Sequence, residues 1–181
     1  MNKKELVNKL FPYFLVLVAV VLRLLPHPAN FAPVSALALF GGVYLSKKTA
    51  ILIPLAALGI SDYFLGYYSF GVMLSVWGSF VLVGLIGLLV RKRKSIPMIV
   101  TGTLSGSVLF FLITNFAVWF FGNWYEKTFS GLIQCFTLAL PFFRNSLFGD
   151  VFYVGVFFGT YELVLYLNRE KEKSLIKVKN E

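Results

Sequence analysis

Four clusters of basic residues punctuate this chain, each lying between or beyond apolar stretches long enough to cross a bilayer. Lys3, Lys4 and Lys9 precede the first stretch, and Lys47 and Lys48 separate the second from the third. Arg91, Lys92, Arg93 and Lys94 separate the fourth from the fifth, and Arg169, Lys171, Lys173, Lys177 and Lys179 follow the last. A hydrocarbon core of about 30 Å takes roughly 20 apolar residues. Such stretches fit at about 10–25, 33–46, 49–66, 70–90, 96–121 and 146–167. With six crossings every basic cluster falls on one side, and the excess of Lys and Arg in cytoplasmic loops puts both termini in the cytoplasm. Five crossings would carry the basic tail to the other side. The expected fold class is therefore all-α integral membrane. It has six transmembrane helices in one domain over residues 1–167, and a charged cytoplasmic tail over 168–181 read as a frayed helix.

Composition agrees. Hydrophobic residues make up 58% of the chain and charged residues 14%, whereas a soluble domain is about half apolar and a quarter charged. The apolar stretches are continuous rather than alternating, which excludes a β-barrel. The net charge of +9 belongs to loops and tails, with no basic face interleaved with exposed aromatics, so nucleic acid is not an expected partner. Cys135 is the only cysteine, so an internal disulfide is excluded. It reads as core filler or as a thiolate ligand to a metal-containing group. The N-terminus has the basic start and apolar run of a signal peptide. Arg23-Leu-Leu-Pro26 follows instead of a small-residue cleavage site, giving an uncleaved first span.

Within this frame the second stretch is short, implying tilt or local thinning of the bilayer, and Pro54 predicts a kink in the third. Residues 129–140 are apolar but too short to span and are followed by Pro141. They predict a re-entrant or interfacial helix on the outer side, ended by the proline.

Asp62, Arg144 and Asp150 lie within or at the outer edge of the apolar stretches. Charges at membrane depth are costly and mark ligand or ion paths by default. Asp62 sits at the C-terminal end of the third helix, where the dipole disfavours an anion. It therefore calls for a partner: Arg23, Arg144 or a ligand cation. Arg144 and Asn145 stand with Asp150 around the start of the last span. There Asp150 reads either as a helix-start carboxylate or as a ligand contact. Arg144 reads as a fork for a carboxylate or phosphate, or as an internal partner of Asp150 or Asp62. Asn115 and Trp119 are one turn apart on the fifth helix, and the amide of Asn115 must find a partner in a dry environment. Asn123 and Trp124 follow in the outer loop. His27, the one histidine, lies between two prolines in another outer loop and reads as solvent-facing or as a ligand contact. Glu162 is expected to pair with a basic loop residue. Gly102 and Gly106, four apart, read as an internal helix-packing pair in preference to a dimer contact.

Enzyme signatures are missing. Gly102-Thr-Leu-Ser105-Gly106 resembles a nucleophile motif only superficially, because no histidine stands on another helix to serve it. One histidine is too few for a hydrolytic metal centre, and no phosphate-cradling glycine loop occurs. Neither an enzymatic activity nor a resident cofactor is expected.

Four stretches carry a resemblance. They are Arg23-Leu-Leu-Pro-His-Pro-Ala-Asn-Phe-Ala-Pro-Val-Ser-Ala-Leu-Ala-Leu-Phe-Gly-Gly42, Ser61-Asp-Tyr-Phe-Leu-Gly66, Thr114-Asn-Phe-Ala-Val-Trp119 and Ala139-Leu-Pro-Phe-Phe-Arg-Asn-Ser-Leu-Phe-Gly-Asp150. Together they look like an uncharacterised family of small bacterial membrane proteins. In size and topology that family resembles the substrate-binding S components of energy-coupling-factor vitamin transporters. The resemblance implies a bacterial cytoplasmic-membrane protein that captures a vitamin-like small molecule. Its pocket would be closed by outward segments, with Arg23, His27, Asn30, Asp62, Asn115, Trp119, Asn123, Trp124, Arg144, Asn145 and Asp150 as ligand contacts. It also implies a transmembrane coupling subunit and an ATPase pair as partners, alongside the lipid bilayer. One departure is plain: S components often carry small residues four apart on the first helix for docking, and Pro12-Tyr-Phe-Leu-Val-Leu-Val-Ala-Val-Val-Leu22 has no such pair. A solitary binder is therefore a variant of this reading. The rival is a scaffolding protein of the cell envelope in which the polar residues satisfy one another.

Overall fold

The computed structural model describes residues 3–26 and 28–179, with side chains over 10–15, 17–26 and 28–170. His27 lies outside the described residues, as do the side chains of Lys3, Lys4, Lys9 and the tail beyond Glu170. Six helices make up the described chain: α1 Lys3–Leu24, α2 Val34–Tyr44, α3 Lys47–Leu65, α4 Phe70–Lys92, α5 Ile96–Phe121 and α6 Phe129–Lys179. The described residues contain no strand. Helices α3, α4, α5 and the 129–170 part of α6 are long and apolar enough to cross a membrane, whereas α2 and the apolar 10–24 part of α1 are shorter.

Helix boundaries follow local chemistry. Ser46 caps α3 by accepting from the Thr49 amide at 3.3 Å, and Ser95 caps α5 by accepting from the Met98 amide at 3.4 Å. Pro97 sits in the first turn of α5, where the missing N–H costs nothing. Gly66 closes α3 at φ +96°, a left-handed conformation open to glycine, and its N–H returns to the Asp62 carbonyl at 2.9 Å. At the end of α2, Arg91 of α4 donates through Nε to the Gly42 carbonyl at 2.9 Å and through Nη2 to Leu45, so a fixed cation satisfies the orphan carbonyls.

The core is built around α2. Nine of its eleven residues are buried, and it packs most closely on α4. Glycine permits that approach. A Cβ on Gly42 would stand 2.4 Å from the Gly84 carbonyl oxygen, and one on Gly87 would stand 2.5 Å from that of Leu39. Phe40 packs edge-on against Phe158 and Tyr161 of α6 at 5.4 and 5.6 Å. Phe11 of α1 stacks on Tyr161 at 6.3 Å. Gly102 and Gly106 face α4, where Val90 and Val83 fill the space a side chain would need, so the pair packs internally as expected. Glu162 bonds Lys94 at 2.5 Å and accepts from the Tyr44 hydroxyl, so its expected basic loop partner is Lys94. Large apolar side chains such as Leu52, Val100, Leu112 and Phe152 lie outward on the long helices, as lipid-facing surfaces require.

Two expectations are corrected. Residues 129–140 are not a separate re-entrant or interfacial helix ended by Pro141. They form the first turns of α6, a single helix of 51 residues with Pro141 inside it. The cause lies in packing on both sides of the proline: Phe136 and Phe143 both contact Phe111 of α5, at 5.5 and 4.5 Å. Cys135 reaches the Asn115 carbonyl at 3.4 Å, as core filler tied to α5. A proline removes one backbone bond but does not end an apolar helix held by its neighbour. The helical start near 146 moves with it. Asp150 therefore lies deep inside α6 and has neither a cap role nor the dipole of a helix start.

Candidate functional site

The polar residues of the site gather at the end of the bundle opposite the Tyr44–Glu162–Lys94 cluster. Arg23 in the last turn of α1 reaches Asp62 in the last turn of α3, with Nη2 at 2.7 Å from Oδ1. Trp77 of α4 donates through Nε1 to the other carboxylate oxygen at 3.0 Å. Asp62 is 1% exposed, so the unfavourable helix dipole at this terminus is offset by a guanidinium and an indole. Of the partners proposed for Asp62, Arg23 is the one present. Tyr68 lies beside this group, in the 66–69 connection. Its phenol is pushed up to about 12, first by burial and then by the Asp62 carboxylate, against an opposing pull from Arg23.

Asp150 lies across from this pair, 3% exposed. Ser107 of α5 donates to its Oδ2 at 2.6 Å, and Ser35 of α2 bonds the same carboxylate. A cavity of about 220 Å³ opens between the two groups. Its polar wall is Arg23, Asn30, Ser35, Tyr68, Ser146 and Asp150; its apolar wall includes Val76, Phe80 and Phe110. A second cavity of about 210 Å³ adjoins it, sharing Asn30, Val76, Phe110 and Ser146 and reaching Asn115 and Thr114. Together the two approach the lower size range of small-molecule pockets, apolar with a few convergent polar groups.

Of the residues expected at the site, Arg23, Asn30 and Asp150 line the first cavity and Asn115 lines the second, while Asp62 stands behind Arg23. The amide of Asn115 finds its partner on its own helix, donating to the Phe111 carbonyl at 2.8 Å. The others are not brought in. Arg144 is exposed and forms no ion pair with Asp150 or Asp62, because six residues along an α-helix turn it about 120° away from the Asp150 face. Asn145 instead ties α6 to the connection between α1 and α2, donating to the Ala29 carbonyl at 3.2 Å. Trp119 holds the loop after α5, through Nε1 to the Glu126 carbonyl at 2.9 Å and under the Lys127 ammonium at 5.9 Å. Asn123 and Trp124 are exposed, Trp124 at 81%. His27 lies outside the described residues.

Sequence reasoning missed Ser35, Tyr68, Ser146 and the two phenylalanines. One signal was available for Ser146: it stands four residues before Asp150, on the same helical face.

The fold and this cavity define an all-helical protein with membrane-type apolar helices and a polar site near one end. The chain belongs to the family of unknown function DUF6580, whose model matches residues 3–174. No curated protein and no solved structure matches the chain.

Proposed function

We propose that this protein is the substrate-binding membrane subunit of a micronutrient uptake transporter, similar in role to the S components of energy-coupling-factor transporters. On this reading all six helices lie in the bacterial cytoplasmic membrane with both termini inside, and the cavity end faces outward. The observation that carries it is the cavity itself: partly open, lined by polar and apolar side chains together, and provided with a carboxylate and a guanidinium in its wall. Arg23 is paired with Asp62, but Asp150 is held by hydroxyls alone and flanks open space, as a group kept for a ligand would. The vitamin-like ligand would enter beneath the segments around 26–33 and 66–69. Energy would come from a separate ATPase pair through a coupling subunit. Gly155 and Gly159, four apart on α6, have no neighbour within 4 Å of where a side chain would begin. They offer the close-approach surface such a subunit needs and that the first helix lacks.

A second reading, an envelope scaffold without ligand, is favoured by one observation: Arg23, Asp62 and Trp77 satisfy both oxygens of the buried carboxylate among themselves. Mass spectrometry of small molecules retained by the detergent-purified protein separates the two. A stoichiometric compound, lost in a folded Ser146→Phe variant that fills the cavity, is the expected result. A well-behaved protein that retains nothing, and that shows no uptake phenotype on deletion, supports the scaffold.

A further inference from the structure

Asp150 differs from Asp62 in one respect that bears on the ligand. Both carboxylates are buried, at 3% and 1% exposure. Asp62 has a cation at 2.7 Å. Among the described residues Asp150 has none within 4.0 Å; its partners are the hydroxyls of Ser107 and Ser35. Arg23 lines the same cavity but its charge is already balanced by Asp62. The inventory around the cavity therefore leaves one carboxylate without a counter-charge. A buried carboxylate in that state is costly unless something neutralises it.

The walls suit the same conclusion. Phe80 and Phe110 pack at 5.0 Å between centroids and both line the cavity with Tyr68. Aromatic faces attract cations, more strongly where water is excluded. Resting on the binding-subunit reading above, we infer that the ligand is a small organic cation whose ammonium or amidinium group pairs with Asp150 while its apolar body lies against Phe80 and Phe110. The volume of about 220 Å³ corresponds to about seven water volumes, room for a single ring with a short charged arm. The serines hold the carboxylate in place, and Arg23 with its partner Asp62 marks the opposite wall.

A matched trio of probes tests this on the intact wild-type protein in lipid nanodiscs: 2-phenylethylammonium, 2-phenylethanol and phenylacetate, similar in shape and differing in charge. Calorimetry should show the cation binding about ten- to hundredfold more tightly than the neutral alcohol, the range expected for one charge-assisted hydrogen bond, with the anion weakest. Asp150→Asn should bring the cation down to the level of the alcohol, and Asp150→Glu should keep part of the preference. The wild-type comparison stands even where a variant does not fold. Equal or better binding of the alcohol or the anion overturns the cation assignment and leaves the binding reading intact. Binding of none of the three up to millimolar concentration, with no small molecule retained on purification, overturns both.

Discussion

Asp62 is held at a helix terminus that repels it, and the residues that hold it set what substitution there does. Removing Arg23 alone leaves a carboxylate at 1% exposure with one indole donor. Arg23→Met should cost about 3–5 kcal/mol, the range for breaking a buried pair from one side. Pairing it with Asp62→Leu should recover most of that loss, because the stranded charge goes too. Denaturant unfolding in detergent, run as a double-mutant cycle, measures the coupling; additive losses would count against the pair. Tyr68 reports on the same carboxylate through its proton. Its pKa is raised to about 12 from an ordinary value near 10. The raised value favours the neutral phenol in the folded state. Its contribution to stability is therefore complete below about pH 10 and lost as pH rises through about 12. The difference in tyrosinate absorbance between wild type and Tyr68→Phe should develop near pH 12, and Asp62→Asn should move it lower. An onset near pH 10 in the wild type would show that neither burial nor the carboxylate acts on it. That Asp62 needed a partner was legible from its place at a helix end. Which of two arginines supplied it was not, since that depends on how α1 lies against α3.

At the scale of the helices, backbone proximity between α2 and α4 is the most demanding contact. The Cβ of an alanine at Gly42 or Gly87 would meet backbone at 2.4 or 2.5 Å, and backbone cannot swing aside as a side chain can. Gly42→Ala or Gly87→Ala should destabilise by about 1–3 kcal/mol, the cost of overpacking. Gly78→Ala, where nothing lies within 4 Å, should be neutral or slightly stabilising. Thermal melting of the three variants in one detergent decides it; equal melting points for all three would mean the two helices separate freely. Helix α5 was legible almost to the residue, from its apolar length and the basic cluster before it. Helix α6 was not. Pro141 carries a local stop signal, and the contacts that overrule it come from Phe111, some thirty residues earlier in the sequence. The misplaced start of α6 then carried Asp150 and Arg144 into the wrong surroundings. Register errors in helices propagate in this way, because each residue of shift rotates a side chain by about 100°.

For the molecule as a whole, what could be read in advance was whatever depends on a single segment: apolar length and the charge of connections. The cavity depends on seven segments meeting, Arg23 of α1 and Asn30 of the connection after it among them. Ser35, Tyr68, Phe80, Phe110 and Ser146 come from α2, the 66–69 connection, α4, α5 and α6, and none is conspicuous alone. Helix α2 has a further consequence, for how the protein is made. It is eleven residues long, about 16 Å, roughly half the hydrocarbon thickness. Nine of those residues are covered by protein, and the backbone it leans on belongs to α4, which leaves the ribosome later. On the six-segment reading, α2 has too little length to be retained by lipid alone and must wait for α4 before it can settle. A cysteine placed at Ala38 should react with a membrane-impermeant thiol reagent in nascent chains arrested once α3 has left the ribosome, and become protected in chains long enough for α4 to have left it too. Protection already present in the shorter chain would mean that α2 enters unaided. On the six-segment reading, the order of synthesis and the order of assembly are two different sequences of events.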